Sequence, residues 1–130
     1  MEFRNGQSIY LQIAEYVCEQ ILLQQWPLGK KIVSIRDLAV KMEVNPNTVQ
    51  RAYDFLQQRE IITNKRGVGY FIEEEAIDRV ITFRKEQFID NELPLFFRNM
   101  YLLDIDMDDL KTKYENFKKE NFKGNDHEKI

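Results

Sequence analysis

A chain of 130 residues is long enough for one modest core, or for one small domain with a helical appendage, and two full domains would be cramped. Hydrophobic residues make up 43% and charged residues 32%, the balance of a soluble globular protein, and no apolar run approaches membrane-spanning length. The net charge of −3 divides unevenly: residues 1–72 hold nine Lys/Arg against seven Asp/Glu (+2), and residues 73–130 hold ten against fifteen (−5), which excludes a uniformly basic surface but leaves room for a local basic patch.

The N-terminal residues Met1-Glu2-Phe3-Arg4-Asn5-Gly6 lack the hydrophobic stretch of a signal peptide, so a cytoplasmic location is expected. Ser8 is placed to cap a first helix over about residues 9–25, with Ile9, Tyr10, Ile13, Ala14, Val17 and Ile21 as one apolar stripe. Cys18 is the sole cysteine, so no internal disulfide can form, and a small thiol in a helical pattern reads as core. Trp26-Pro27-Leu28-Gly29 then breaks the helix, and residues 30–33 read as a short extended segment.

A second helix follows Ser34, with Asp37 three residues on as a variant of the capping box. Ile35, Leu38, Ala39 and Met42 face inward, leaving Arg36 and Lys41 outside. Asn45-Pro46 launches a third helix, since Asn45 can cap the unpaired N–H groups and proline at the first helical position gives up a donor that has no partner there. Val49, Ala52, Tyr53 and Leu56 recur at helical spacing, which turns Asn47, Thr48, Gln50, Arg51 and Asp54 outward. Amide, hydroxyl and guanidinium groups are those that bind base edges and phosphates. An ordinary solvated helix face has the same composition, and the neighbouring elements decide between the two.

The link between the second and third helices is three or four residues, the length of a helix-turn-helix. Such a turn ordinarily places glycine in the left-handed region, and here the candidate is Glu43, at roughly 1 kcal/mol of backbone cost; Glu60 stands in the same situation after the third helix. From there the pattern becomes extended. Residues 61–64 and 70–72 form two short strands around Lys65-Arg66-Gly67-Val68-Gly69, a hairpin loop whose basic tip suits a phosphate backbone or a minor groove. Two strands after a helix-turn-helix make a wing.

Glu73-Glu74-Glu75 marks a boundary between a domain over residues 1–73 and a helical region over 74–120. In that region Ile77, Val80, Ile81, Phe88, Leu95, Phe96, Met100 and Leu103 carry more apolar surface than a lone helix leaves in water. Pro94 should kink or interrupt this helix, with a restart capped by Asn91. Asp106, with Asp109 three residues on, starts a last helix through about Lys119 that offers Leu110, Tyr114 and Phe117. Residues 121–130 are expected to be a disordered tail holding His127, the sole histidine, so one chain can build neither a His-based triad nor a His-rich metal site. The fold class expected is mainly α with a small β-hairpin: a winged helix-turn-helix domain followed by a helical dimerisation tail.

Residues 9–72 resemble the winged helix-turn-helix domain of the GntR family of bacterial transcription regulators. The resemblance is carried by Ile9-Tyr10-Leu11-Gln12-Ile13, Ser34-Ile35-Arg36-Asp37-Leu38-Ala39, the stretch from Val44 to Tyr53, and Gly67-Val68-Gly69-Tyr70-Phe71. It implies DNA contacts by Arg36, Asn45, Asn47, Thr48 and Gln50, with Arg66 and Gly67 at the wing tip; Arg51 and Lys65 join them from the reading of the residues alone. Pro46 fills a slot where some members carry a contacting arginine, and Val33, Glu43 and Glu60 replace a usual proline and two glycines. The short remainder of the chain is similar to the YtrA-type branch, which implies dimerisation by the helical tail and operators that often serve ABC transporter genes.

Double-stranded DNA and a second copy of the chain are therefore the expected partners, and repression the expected activity. The alternative is a winged-helix module that makes protein contacts without reading sequence. No cofactor is expected, and no enzyme: Gly67-Val68-Gly69 lacks the glycine and helix of a dinucleotide site, and no nucleophile stands beside a base. The aromatic tail has room for a small apolar effector in principle, but Phe88, Phe96 and Phe97 read first as interface core.

Overall fold

The computed structural model describes Phe3 and residues 6–122 of the chain. Six α-helices and one hairpin follow in order: α1 (Ile9–Leu22), α2 (Ile35–Met42), α3 (Pro46–Gln58), β1 (Ile62–Lys65), β2 (Gly69–Ile72), α4 (Ala76–Gln87), α5 (Leu93–Leu102) and α6 (Met107–Asn121), with a π-helical turn, Phe88–Glu92, between α4 and α5. The chain divides into two compact units, Met1–Glu86 and Gln87–Ile130. The mainly helical fold with a two-stranded wing is the one the sequence implies. Of the tail expected from residue 121, Asn121 still belongs to α6 and Phe122 caps it, while residues 123–130, with His127, lie outside the described residues.

In the first unit one core gathers a face from every element. Ile13, Ala14, Val17, Cys18 and Ile21 of α1 meet Leu38, Ala39 and Met42 of α2, Val49, Ala52, Tyr53 and Leu56 of α3, and Ile61, Ile62 and Ile72 of the wing. Ile9, expected in the α1 stripe, is 44% exposed, because it opens the helix where no second layer covers it. The spacing of the stripe is helical throughout, so these side chains reach the core only in the helical state.

Local chemistry sets the helix starts. Ser34 Oγ accepts the Asp37 N–H at 3.1 Å, Asn45 Oδ1 accepts the Asn47 N–H at 2.7 Å, and Asp106 Oδ1 accepts the Asp109 N–H at 2.9 Å. Ser8 occupies the N-cap position of α1, but its hydroxyl makes no capping bond. The helix ends share one device. Gln24, Glu43, Glu60 and Asp104 all lie in the left-handed region, with φ of 59°, 57°, 60° and 55°. At each, the next residue donates its N–H back into the last turn: Gln25 to Gln20 O, Val44 to Ala39 O, Ile61 to Leu56 O and Ile105 to Met100 O, at 2.9–3.0 Å. Gln24 thus ends α1 at Leu22, ahead of the Trp26-Pro27 break expected from the sequence. Glu43 and Glu60 adopt the glycine-like geometry expected of them.

The hairpin is antiparallel, in the register Ile62↔Ile72 to Lys65↔Gly69. The extended segment before α2 joins it, with Ile32 N–H donating to Tyr70 O at 2.9 Å, Ile72 N–H donating to Lys30 O at 3.0 Å, and Lys31 bridging to Phe71. The wing is thereby tied to the domain as well as to itself. Of α4, Ala76, Val80 and Phe83 enter the same core, the Phe83 ring lying 5.3 Å from that of Phe55. Ile77 packs against that core, and the expected division after Glu73 falls inside the first unit.

The second unit contrasts with the first. None of its described side chains is buried; Leu95, Leu103 and Tyr101 are 61%, 67% and 86% exposed, and Phe88, Ile89, Phe96, Phe97, Tyr114 and Phe117 also face solvent. Met100 and Leu110 are half-buried. Pro94 is accommodated without the restart at Asn91 that the sequence suggests: the chain remains helical, and the turn before α5 widens so that the Leu93 N–H bonds to Phe88 O. Proline has no N–H to return to Asp90, and its ring crowds that carbonyl; one wide turn absorbs both defects.

Candidate nucleic-acid interface

The third helix presents the side that its buried residues dictate. With Val49, Ala52, Tyr53 and Leu56 fully buried, Asn47, Gln50, Arg51 and Asp54 are exposed and Thr48 is half-buried. Asn45 is exposed one position before the helix, its Oδ1 accepting the cap bond and its two amide N–H donors left to give. Arg36 is exposed in the first turn of α2, within the same helix-turn-helix. The turn itself is Glu43-Val44-Asn45.

Between the N-terminal turns of α1 and α3 runs an open cleft of about 410 Å³, lined by Ser8, Ile9, Tyr10, Asn45, Asn47, Thr48 and Arg51. The Arg51 guanidinium lies over the Tyr10 ring, 4.0 Å from its centroid. Stacking of this kind is worth about 0.5–1 kcal/mol at an exposed site and restricts where the cation can go. The Tyr10 ring also meets the Phe55 edge at 6.1 Å, so the aromatic platform is anchored on α3. The Arg51 guanidinium, the Thr48 hydroxyl and the Asn45 and Asn47 amides make a cleft suited to an anionic oxygen.

The wing supplies the second part of the surface. Lys65 and Arg66 are exposed at its end, Lys65 Nζ lying 4.2 Å from the Phe71 ring centroid. Gly67 has φ +78° with open space around it, which allows the tip to turn and a ligand backbone to approach. Gly69 is more constrained: at φ +140° a Cβ would sit 2.8 Å from Lys31 Cε. Lys31 is thereby recognised as a further cation on the wing face, missed at first because its place opposite Phe71 arises only from the bridge.

Two further residues escape a reading by residue type. Gln50 Nε2 donates to Asp54 Oδ1 at 2.9 Å and to the Tyr70 hydroxyl at 3.3 Å, so a wing residue touches the outer face of α3. Tyr70 is in turn set against Tyr53, ring centroids 5.0 Å apart, and the Tyr53 hydroxyl donates to Val33 O at 2.7 Å. The Tyr53 hydroxyl is pushed well above the ordinary phenol range by burial, then by the neighbouring Tyr70 and Tyr16. No sequence signal announces a contact across twenty residues between a helix and a strand.

All nine candidate DNA-binding residues thus belong to α2, α3, the turn before α3, or the wing tip, within the first unit. The residues expected to carry dimerisation divide otherwise: Ile77 and Ile81 lie on α4 in the first unit, and Phe88, Leu95, Phe96, Met100, Leu103, Leu110, Tyr114 and Phe117 in the second. Among the described residues no group of three or more His, Cys, Asp or Glu is placed to hold a metal ion, and no helix is long and apolar enough to cross a membrane.

Comparison with known proteins agrees with this geometry. A family model described as bacterial regulatory proteins, gntR family, matches residues 9–72. The chain is 38% identical over 88 residues to the HTH-type transcriptional repressor YtrA of Bacillus subtilis, covering 65% of this chain and 68% of that protein. Its fold is similar to that of a GntR family transcriptional regulator from Listeria monocytogenes, with a TM-score of 0.72 and 33% identity over 88% of this chain and 98% of the other. It is also similar to S. agalactiae BusR in complex with its busAB-promotor DNA, with a TM-score of 0.61 and 25% identity over 85% of this chain and 55% of BusR.

Proposed function

The chain belongs to the GntR family of bacterial regulatory proteins and is a helix-turn-helix, DNA-binding transcription regulator rather than an enzyme; from that premise we propose that it is a cytoplasmic repressor acting as a homodimer on a pseudo-palindromic operator. The single observation that carries this reading is the outward row Asn47, Gln50 and Arg51 on α3, touched at Gln50 by Tyr70 of a wing whose end exposes the cations Lys65 and Arg66. In the proposed complex α3 enters the major groove. Asn47, Thr48 and Gln50 read base edges, Asn45 donates from its amide, and Arg36, Arg51, Lys65 and Arg66 neutralise phosphates, with Gly67 letting the wing approach the backbone.

Repression is supported by the similarity to the repressor YtrA, and DNA as partner by the similarity to promotor-bound BusR. Dimerisation is supported by the second unit, where Phe88, Leu95, Phe96, Leu103, Tyr114 and Phe117 are exposed together. Apolar surface on that scale is covered in a working protein, and a two-fold partner covers it with the same residues from the other chain. A dimer places its two α3 helices on half-sites about 34–36 Å apart, or a multiple of that.

The test is selection of bound sequences from a random DNA pool, combined with a mass measurement in solution. A palindromic consensus and twice the chain mass are expected; a chain of single mass that enriches no sequence refutes the reading. Gln50→Ala should relax one base position by ~1–3 kcal/mol, whereas Lys65→Ala should weaken all sequences alike and flatten the salt dependence.

A further inference from the structure

The Gln50 amide nitrogen has two hydrogen-bond acceptors against it. One turn along α3, Asp54 Oδ1 accepts from Nε2 at 2.9 Å; across on β2, the Tyr70 hydroxyl accepts at 3.3 Å. An ionised carboxylate only accepts, so Asp54 decides which end of the amide faces it. A primary amide has two N–H groups to give, and two acceptors stand within reach of Nε2 to receive them. What remains is Oε1, an acceptor that has no partner among the described residues, on a side chain that is exposed.

The partners are themselves secured. Tyr70 lies edge-on to Tyr53, which is fully buried and hydrogen-bonded to Val33 O at 2.7 Å. Asp54 is one helical turn from Gln50, so the two remain neighbours as long as α3 is helical.

We propose that Asp54 and Tyr70 determine base specificity through Gln50: by occupying its N–H groups they make it a pure acceptor, which selects a base with an exocyclic amine in the major groove. Cytosine N4 and adenine N6 satisfy Oε1; guanine O6 and thymine O4 bring a second acceptor against it and are rejected. A glutamine without such neighbours pairs with adenine in two places, accepting from N6 and donating to N7. Here the N7 bond has no donor, so adenine loses its advantage and cytosine is admitted beside it. The inference rests on α3 reading duplex DNA, as proposed above. Asp54 and Tyr70 act as positioning residues, since Gln50 makes the base contact.

The experiment compares the full-length wild type with Gln50→Ala, Asp54→Ala and Tyr70→Phe. Each is used to select sequences from the random pool, then titrated against four operators that differ only at the position Gln50→Ala relaxes. Wild type should favour cytosine and adenine over guanine and thymine there by about tenfold or more. Asp54→Ala and Tyr70→Phe should each free an N–H and narrow the preference to adenine, cytosine falling several-fold relative to it while other positions keep theirs. Melting curves establish that all variants are folded; Asp54 is exposed, and phenylalanine keeps the Tyr70 ring.

A uniform gain in affinity for all four operators on Asp54→Ala, with the ratio of cytosine to adenine unchanged in both variants, would mean that Asp54 merely repels phosphates, and the inference fails. In that case a position relaxed by Gln50→Ala leaves the operator-binding reading standing. Enrichment of no sequence by the wild type removes both.

Discussion

Replacing Glu43 by glycine should stabilise this protein, although it deletes a side chain and leaves every hydrogen bond in place. Glu43 sits at φ 57° and ψ 48°, between α2 and α3, and is exposed. Its own N–H donates to Val40 O at 3.2 Å and that of Val44 to Ala39 O at 3.0 Å, both backbone bonds that glycine retains. A side chain in the left-handed region costs about 1–2 kcal/mol, because Cβ approaches the following carbonyl. Glycine's greater freedom in the unfolded chain returns about 0.4–1 kcal/mol of that. The net gain expected is therefore ~0.5–1 kcal/mol, which raises the melting temperature of a unit of this size by about 2–8 °C. Glu43→Ala is the control, since it removes the carboxylate but keeps Cβ, and should stay within about 0.5 kcal/mol of the parent. Urea denaturation reads the difference as a shift in midpoint at constant slope. If Glu43→Gly proves no more stable than Glu43→Ala, backbone strain at the turn is not what the geometry implies, and the argument for Gln24, Glu60 and Asp104 falls with it.

Tyr53→Phe removes the hydroxyl that donates to Val33 O at 2.7 Å, and should cost ~1–2 kcal/mol in urea denaturation while leaving the core volume intact. The Cys18 thiol is pushed up to about 12 from 9.0, chiefly by burial, with Arg84 and Arg59 opposing and Glu15 reinforcing the shift. Because the native value is raised, the thiol's contribution is fully present below about pH 9 and is lost as pH climbs toward 12, at ~1.4 kcal/mol per pH unit. The stability gap between wild type and Cys18→Ala, measured by urea midpoints from pH 8 to 11, should narrow above pH 9; a gap that stays constant contradicts the burial argument. Tyr10→Leu keeps an apolar side chain but removes the face beneath Arg51, so operator affinity should fall about 2- to 5-fold for all sequences alike, a titration result that a change confined to one base would refute.

How much was legible beforehand depended on the span of chain each feature needs. Asn45-Pro46, Ser34 with Asp37, and Asp106 with Asp109 each complete a bond within two or three residues, and all three caps stand where their spacing places them. The left-handed turns at Glu43 and Glu60 also followed from local geometry, for a helix must end somewhere between two periodic stripes. Gln24 was not foreseen, since Trp26-Pro27 offered a later stop and nothing in the residue type marks a glutamine as a cap. Asn91 offered a cap that went unused, because widening one turn around Pro94 leaves α4 to α5 continuous where a fresh start would leave several N–H groups unpaired.

Periodicity by itself determined the helices, the hairpin and which side of α3 is buried, because those depend on backbone rules that act over a turn or a pair of strands. Tertiary structure alone decided that α4 shares the core of the wing domain through Ala76, Val80 and Phe83, that Tyr10 lies under Arg51, and that Tyr70 reaches Gln50. Those partners meet only after distant segments have packed, and a side chain's hydrogen-bonding type does not say which neighbour will engage it.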